Sequence, residues 1–181
     1  MKKNLFIFEL LSTIFIIFLG FILHFLYEWS GENILIGTFS SVNESTWEHL
    51  KLLFFPLLIT ISIGYFYFKD YPSYLCVKTK GLLLGMIFIV IFFYTYSGIL
   101  GYNIPILDIG SFIIAVIISE YYTYKKINLS HCNKVVDLII LTVLSLSFFI
   151  FTFNPPMIDL FKDPVTDTYG INKKERFPFL N

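Results

Sequence analysis

The sequence is poor in charged residues and nearly devoid of alanine. Only 14% of its 181 residues are charged and 56% are hydrophobic, a balance outside the range of ordinary soluble domains. The formal net charge is zero and no basic run resembles a phosphate-binding patch, so nucleic acid is not expected as a partner. The single alanine, Ala115, stands beside 22 phenylalanines, and we treat this bias as compositional rather than functional.

Cysteines and catalytic motifs are also scarce. Cys76 and Cys132 fall in loops predicted to face the cytoplasm, where thiols stay reduced, so we predict no disulfide. The sequence lacks an H-E-x-x-H zinc motif, a Walker loop and a G-x-S-x-G elbow. No motif of these enzyme classes therefore directs the functional interpretation.

Long apolar blocks dominate the chain instead, and each is long enough to cross a bilayer. They predict an all-α membrane protein, a polytopic helical bundle of about five transmembrane helices in contact with lipid. The first block is too long for a signal-peptide core and lacks a small-residue cleavage site, so we expect it to be retained. The predicted spans are residues 5–27, 45–68, 81–100, 104–122 and 135–153, within a bundle of residues 1–156 followed by an extracytoplasmic tail, 157–181.

Lysines concentrate on one side of this topology. The positive-inside rule then predicts a multi-pass protein of the cell membrane with a cytoplasmic amino terminus and an external tail. A membrane-inserted segment within residues 31–42 is the open alternative, since it would move the tail to the other side. The lysines of the amino terminus and of the second and fourth loops are Lys2, Lys3, Lys69, Lys78, Lys80, Lys125, Lys126 and Lys134.

Several polar or aromatic residues have simple structural interpretations. Glu9 and Glu120 lie near the cytoplasmic ends of their spans, where their carboxylates are expected to reach the membrane interface. Trp29 and Trp47 fall at the outer interface, as expected of an aromatic belt. Gly81 and Gly85 form a G-x-x-x-G pair, which permits close helix packing.

Other polar residues meet at one predicted depth near the outer side. His24 and Glu28 are one helical turn apart, and the second helix directs His49 into the bundle. The fourth helix brings Asp108 to the same level, where a carboxylate needs a partner. Two histidines with carboxylates suit a zinc, manganese or iron site. The predicted cluster comprises His24, His49 and Asp108 as metal ligands, Glu28 and Glu48 as catalytic residues, and Asn43 and Glu44 as further polar members.

Structural alternatives exist for the same residues. A histidine bonded to a carboxylate can simply seal a helix interface, and Ser45 with Glu48 matches the S-x-x-E capping box. In the tail, residues 160–171 are consistent with a lid over the outer mouth or with a stabilising turn.

Three stretches carry a resemblance to a known family: H-F-L-Y-E-W at 24–29, S-V-N-E-S-T-W-E-H-L-K at 41–51, and Asp163-Pro164 with Tyr169-Gly170. There the chain resembles a family of small bacterial integral-membrane proteins, catalogued as a domain of unknown function. The resemblance covers nearly the whole chain. It implies a small polytopic membrane fold and brings no activity, cofactor or partner.

Three functions fit these observations. The first is a membrane-embedded metal-dependent hydrolase acting on a lipid-linked or external substrate. The second is a protein that binds or transports a cation or small solute, which needs a polar route inward through Thr13, Thr60 and Ser119. The third is a structural accessory subunit of a membrane complex. The sequence leaves enzymatic activity, substrate, metal identity and oligomeric state open.

Overall fold

The protein is described by a computed structural model, which covers residues 2–128 and 132–171. Five of its helices are long and apolar enough to cross a membrane, which confirms the predicted all-α bundle of five such helices. The helices are α1 (Lys2–Trp29), α2 (Ile34–Gly37), α3 (Thr46–Tyr67), α4 (Tyr74–Leu100), α5 (Pro105–Lys126) and α6 (Lys134–Phe153), followed by a 3-10 helix, Asp159–Phe161.

The bundle has two ends that differ in content. One end, called the cavity end below, holds the carboxyl ends of α1, α4 and α6, the start of α3 and α5, and the tail up to residue 171. The opposite end holds the start of α1, α4 and α6. The segment 31–42 lies at the cavity end and contains only the single-turn helix α2, which is too short to cross a bilayer.

Helices α4 and α5 are antiparallel neighbours in close contact. Gly101 ends α4 in the left-handed conformation, with φ of +81°, and Pro105 begins α5. Gly81 lies so close to α5 that a Cβ atom there would be 2.5 Å from the carbonyl oxygen of Ser119, and one at Gly85 would be 2.9 Å from that of Ala115. The G-x-x-x-G pair therefore packs against the neighbouring helix.

Helix α4 begins at Tyr74, seven residues before its predicted start at residue 81. Cys76 is thereby placed in the first turn of α4, where it pairs with Cys132 in a disulfide with a Cα–Cα distance of 5.7 Å. The prediction of no disulfide is wrong. A disulfide indicates an oxidising compartment, whereas the positive-inside rule assigns this lysine-rich end to the cytoplasm, so the orientation of the chain stays a prediction.

The start of α3 is held by side-chain caps. Ser45 Oγ accepts a hydrogen bond from the backbone N–H of Glu48, which is half of the predicted capping box. The Glu48 carboxylate does not complete the box but accepts from the backbone N–H of Val42 at 3.1 Å. This bond ties the chain before α3 to the helix itself.

The tail folds back over the cavity end. The Trp47 ring on α3 lies 4.8 Å from that of Phe161 in the 3-10 helix and 4.6 Å from that of Phe148 on α6, measured between ring centroids. Trp47 is therefore buried in the core, not in the predicted aromatic belt, whereas Trp29 is 69% exposed. Asn43 donates a further bond to the carbonyl oxygen of Gly170, at 3.0 Å.

Candidate functional site

A cavity of about 280 Å³ opens at the cavity end between α1, α3, α4 and α5. Its walls are mostly apolar and include Phe21, Leu52, Ile89 and Phe112. Val165 of the tail also lines it, so the tail contributes to the cavity wall. Cavities of this kind, apolar with a few convergent polar groups, are the usual form of small-molecule sites.

His24, Glu44 and His49 form the polar wall of this cavity. Glu44 Oε2 lies 3.3 Å from His49 Nε2 and 4.0 Å from His24 Nε2, and the two imidazole centroids are 5.3 Å apart. One donor atom from each of the three side chains lies within 4.8 Å of the other two. The side chains of His24, His49 and Glu44 are 26%, 24% and 44% exposed, so the cluster is open to the cavity mouth.

Local structure explains how these side chains meet. His24 is in the last turns of α1 and His49 in the first turn of α3, so the two helices present them at the same level. Glu44 precedes the cap residue Ser45 and is carried by the turn in which Asn43 Oδ1 accepts from the Ser45 N–H. The hydrogen bond from His49 lowers the pKa of the Glu44 carboxyl. Partial burial of the carboxyl raises this pKa, and the charges of His49 and His24 lower it further.

Asp108 lines the same cavity from the first turn of α5. Tyr96 Oη, on α4, donates a hydrogen bond to Asp108 Oδ1 and accepts one from the Ile104 N–H at 3.2 Å. The carboxylate is thus held in place by a phenol, which is itself fixed by the chain between α4 and α5. His49 and Glu44 both interact electrostatically with Asp108.

Three other predicted members of the cluster are placed elsewhere. Glu28 is exposed and lies outside the cavity wall. The Glu48 carboxylate is buried against Lys51, with an Oε2–Nζ distance of 2.5 Å, and also lies outside the cavity wall. Asn43 is occupied by the Ser45 turn and by Gly170. The structure therefore brings together His24, His49, Glu44 and Asp108 and separates Glu28, Glu48 and Asn43 from them.

Lys51 is buried by contacts from three parts of the chain. Its ammonium binds Glu48, donates to the carbonyl oxygen of Gly37 at 2.8 Å and donates to Thr152 Oγ1 at 3.0 Å. All three N–H donors of the lysine are used, which is the full capacity of the group. This network joins α3 to α6 and to the segment before α3.

A second charged group lies near the opposite end and was missed in the sequence. Lys78 Nζ lies 2.5 Å from Glu9 Oε2 and 2.6 Å from Glu120 Oε2, and all three side chains are at least 95% buried. The prediction that Glu9 and Glu120 reach the membrane interface is wrong, because Lys78 belongs to α4 and meets them inside the bundle. The sequence could have predicted this group. It places two acidic residues and one basic residue near the same end of three helices, and ionisable groups in a membrane span normally pair.

The fold and the site define a class of protein: a five-helix bundle of membrane-spanning type with a histidine–glutamate cluster in an apolar cavity. The chain belongs to a family of unknown function, DUF6512, whose profile matches residues 2–171. No curated protein and no solved structure matches it significantly. Membership in a family of unknown function is thus confirmed, and a bacterial origin stays a prediction.

Proposed function

We propose that His24, Glu44 and His49 bind a divalent metal ion, with zinc the best fit. The observation that carries this proposal is the convergence of two imidazoles and one carboxylate within 4.8 Å at the wall of a cavity. Two histidines and a glutamate are a recognised zinc donor set, and a set of three leaves one coordination position open, as in catalytic sites. Glu44 takes the ligand position that the sequence prediction gave to Asp108.

We further propose that this centre serves a membrane hydrolase. A bound zinc ion would supply Lewis acidity to the cavity. Asp108, held by Tyr96, is the general base: it takes a proton from water as the water oxygen adds to the substrate carbonyl or phosphoryl centre. The same proton then passes to the leaving oxygen as the scissile bond breaks. The apolar wall suits a lipid-linked substrate, whose body can occupy the cavity beside the polar cluster.

Metal analysis of the detergent-purified full-length protein tests the metal site. After chelation and reloading with zinc, we expect about one zinc ion per chain in the wild type, and little in His24→Ala/His49→Ala or in Glu44→Gln. Glu28→Gln is the matched control, because this residue is exposed and outside the cavity, and should keep the metal. Zinc content in the double variant equal to that of the wild type would disprove the site.

Hydrolysis of a lipid ester by the zinc-loaded protein tests the second step. Asp108→Asn should keep the metal and lose activity by about 100-fold or more, because the base contributes about 10²–10⁴-fold. An active Asp108→Asn variant would remove Asp108 from the mechanism. Zinc binding without hydrolysis in the wild type would leave cation binding as the function of the centre.

The transport alternative has less support. Transport would need a polar route inward through Thr13, Thr60 and Ser119, but each of these hydroxyls donates to a carbonyl oxygen of its own helix. Beneath the cavity, the core is built from apolar side chains such as Leu53 and Leu57, both fully buried. A hydrated path through this part of the bundle would need these side chains to move.

A further inference from the structure

The buried group of Glu9, Lys78 and Glu120, called the triad below, has an odd number of charges. Two carboxylates and one ammonium, all ionised, would leave a net charge of −1 in the buried interior between the helices. A buried charge without compensation is strongly disfavoured in a low-dielectric interior. The triad side chains are at least 95% buried, so water does not offset this cost.

The hydrogen-bond pattern of the triad shows the same imbalance. Each glutamate uses Oε2 to bind Lys78, while Glu9 Oε1 and Glu120 Oε1 are buried and have no hydrogen-bond partner. Two orphaned carboxylate oxygens in one buried site require an explanation, since buried polar groups in proteins are nearly always paired. A single proton on one carboxyl group would supply a donor and would also bring the net charge to zero.

The surroundings of the triad offer no other compensation among the described residues. Tyr74, on α4, is the additional titratable group that interacts with both glutamates, and its hydroxyl is directed to the carbonyl oxygen of Thr60 on α3 at 3.5 Å. The Lys78 ammonium lies 5.8 Å from the ring of Phe8 and 5.9 Å from that of Tyr74. The walls are therefore aromatic rather than charged, and the charge balance must be set within the triad.

We propose that Glu9, Lys78 and Glu120 form a buried proton-binding site, in which the two glutamates share one proton beside the lysine ammonium. The neutral triad has one carboxyl, one carboxylate and one ammonium group. The site is distinct from the cavity: Glu9 and His24 are fifteen positions apart on α1, or roughly 20 Å along the helix axis. It depends on none of the groups assigned to the metal centre.

Infrared spectroscopy of the full-length protein at neutral pH tests this proposal, because a protonated carboxyl group has a C=O stretch separate from that of a carboxylate. We expect the triad to contribute one such band, which shifts in D₂O. Glu9→Gln and Glu120→Gln should each abolish it, since the remaining glutamate forms a neutral ion pair with Lys78. Both substitutions keep the size of the side chain.

Two further variants sharpen the result. Lys78→Met removes the positive charge and should raise the triad signal to two protonated carboxyl groups. Asp137→Asn serves as the control, because Asp137 is another buried carboxyl with an oxygen, Oδ2, that has no hydrogen-bond partner. The triad band should remain in this variant. A carboxyl signal that is the same in wild type, Glu9→Gln and Glu120→Gln overturns the proposal, as does loss of the band in only one of the two glutamine variants.

Discussion

Glu44 and Glu48 are only four residues apart, on either side of the α3 cap residue Ser45, yet the protein uses them in opposite ways. Glu44 stands at the mouth of a cavity with two histidines that are about one-quarter exposed, and its own side chain is 44% exposed. Glu48 is sealed in the core against Lys51, and its side chain is 3% exposed. Glu44 is therefore accessible to a ligand that enters the cavity, whereas Glu48 is closed off from any ligand by its buried partners.

The two glutamates carry the same charge, so the difference between them lies in how fully the hydrogen bonds of their partners are satisfied within the protein. Lys51 uses its three donors on Glu48, Gly37 and Thr152, so nothing is left for a ligand to bind. In the open cluster, the imidazoles of His24 and His49 share a single carboxylate oxygen between them. Sealed networks of this kind fix how helices pack, whereas open clusters beside a cavity are where ligands bind.

The largest expected effect comes from breaking the sealed pair. Lys51→Met leaves the Glu48 carboxylate buried without its cation, which should lower the free energy of unfolding by about 3–5 kcal/mol. Thermal unfolding in detergent measures this loss. The matched control is Lys162→Met, which removes a pair of similar length, with an Nζ–Oδ1 distance of 2.7 Å to Asp167, on the exposed surface. The control should unfold like the wild type, and equal losses in both variants would contradict the distinction between sealed and open pairs.

The sequence predicted the bundle because each span is a long and predominantly apolar run, and this pattern depends only on local composition. It failed at the start of α4, where Lys78 and Lys80 were interpreted as loop residues. A buried lysine is indistinguishable from a loop lysine until its partners are known, and Glu9 and Glu120 are distant in the chain. The same reasoning explains the missed disulfide, which depended on where α4 begins.

The candidate site was predicted in part for a similar reason. His24 and His49 lie on the polar faces of their helices, and the helical period alone indicated that both would point inward. Glu44 and Glu48 could not be distinguished, because the backbone turn before α3 decides which carboxylate meets the histidines. Asn43 and Ser45 form that turn through a side-chain hydrogen bond, which the helical period of the sequence does not predict.

A smaller effect is expected from helix packing, which also differs between the two ends. Gly81→Ala would place a Cβ atom 2.5 Å from the Ser119 carbonyl oxygen, close to the triad, and should cost about 1–3 kcal/mol of stability. Gly98→Ala, on the same helix near the cavity end, meets no atom within 4 Å and is the control. Its thermal unfolding should match or exceed that of the wild type, since alanine favours helix. Equal destabilisation by both substitutions would show that the α4–α5 contact is no tighter near the triad.

The smallest effect concerns the tail that contributes Val165 to the cavity wall. Asn43→Asp keeps the oxygen that accepts from the Ser45 N–H but removes the donor to the Gly170 carbonyl oxygen, a loss of about 1 kcal/mol. A change of that size should raise the population with a detached tail about fivefold, and limited proteolysis within residues 157–171 should accelerate accordingly. Thr166→Ala, which removes only an exposed contact with Thr168 inside the tail, should be cleaved at the wild-type rate. If Asn43→Asp is also cleaved at that rate, the tail is held by the packing of Phe161 on Trp47, and the bond from Asn43 does not contribute to its attachment.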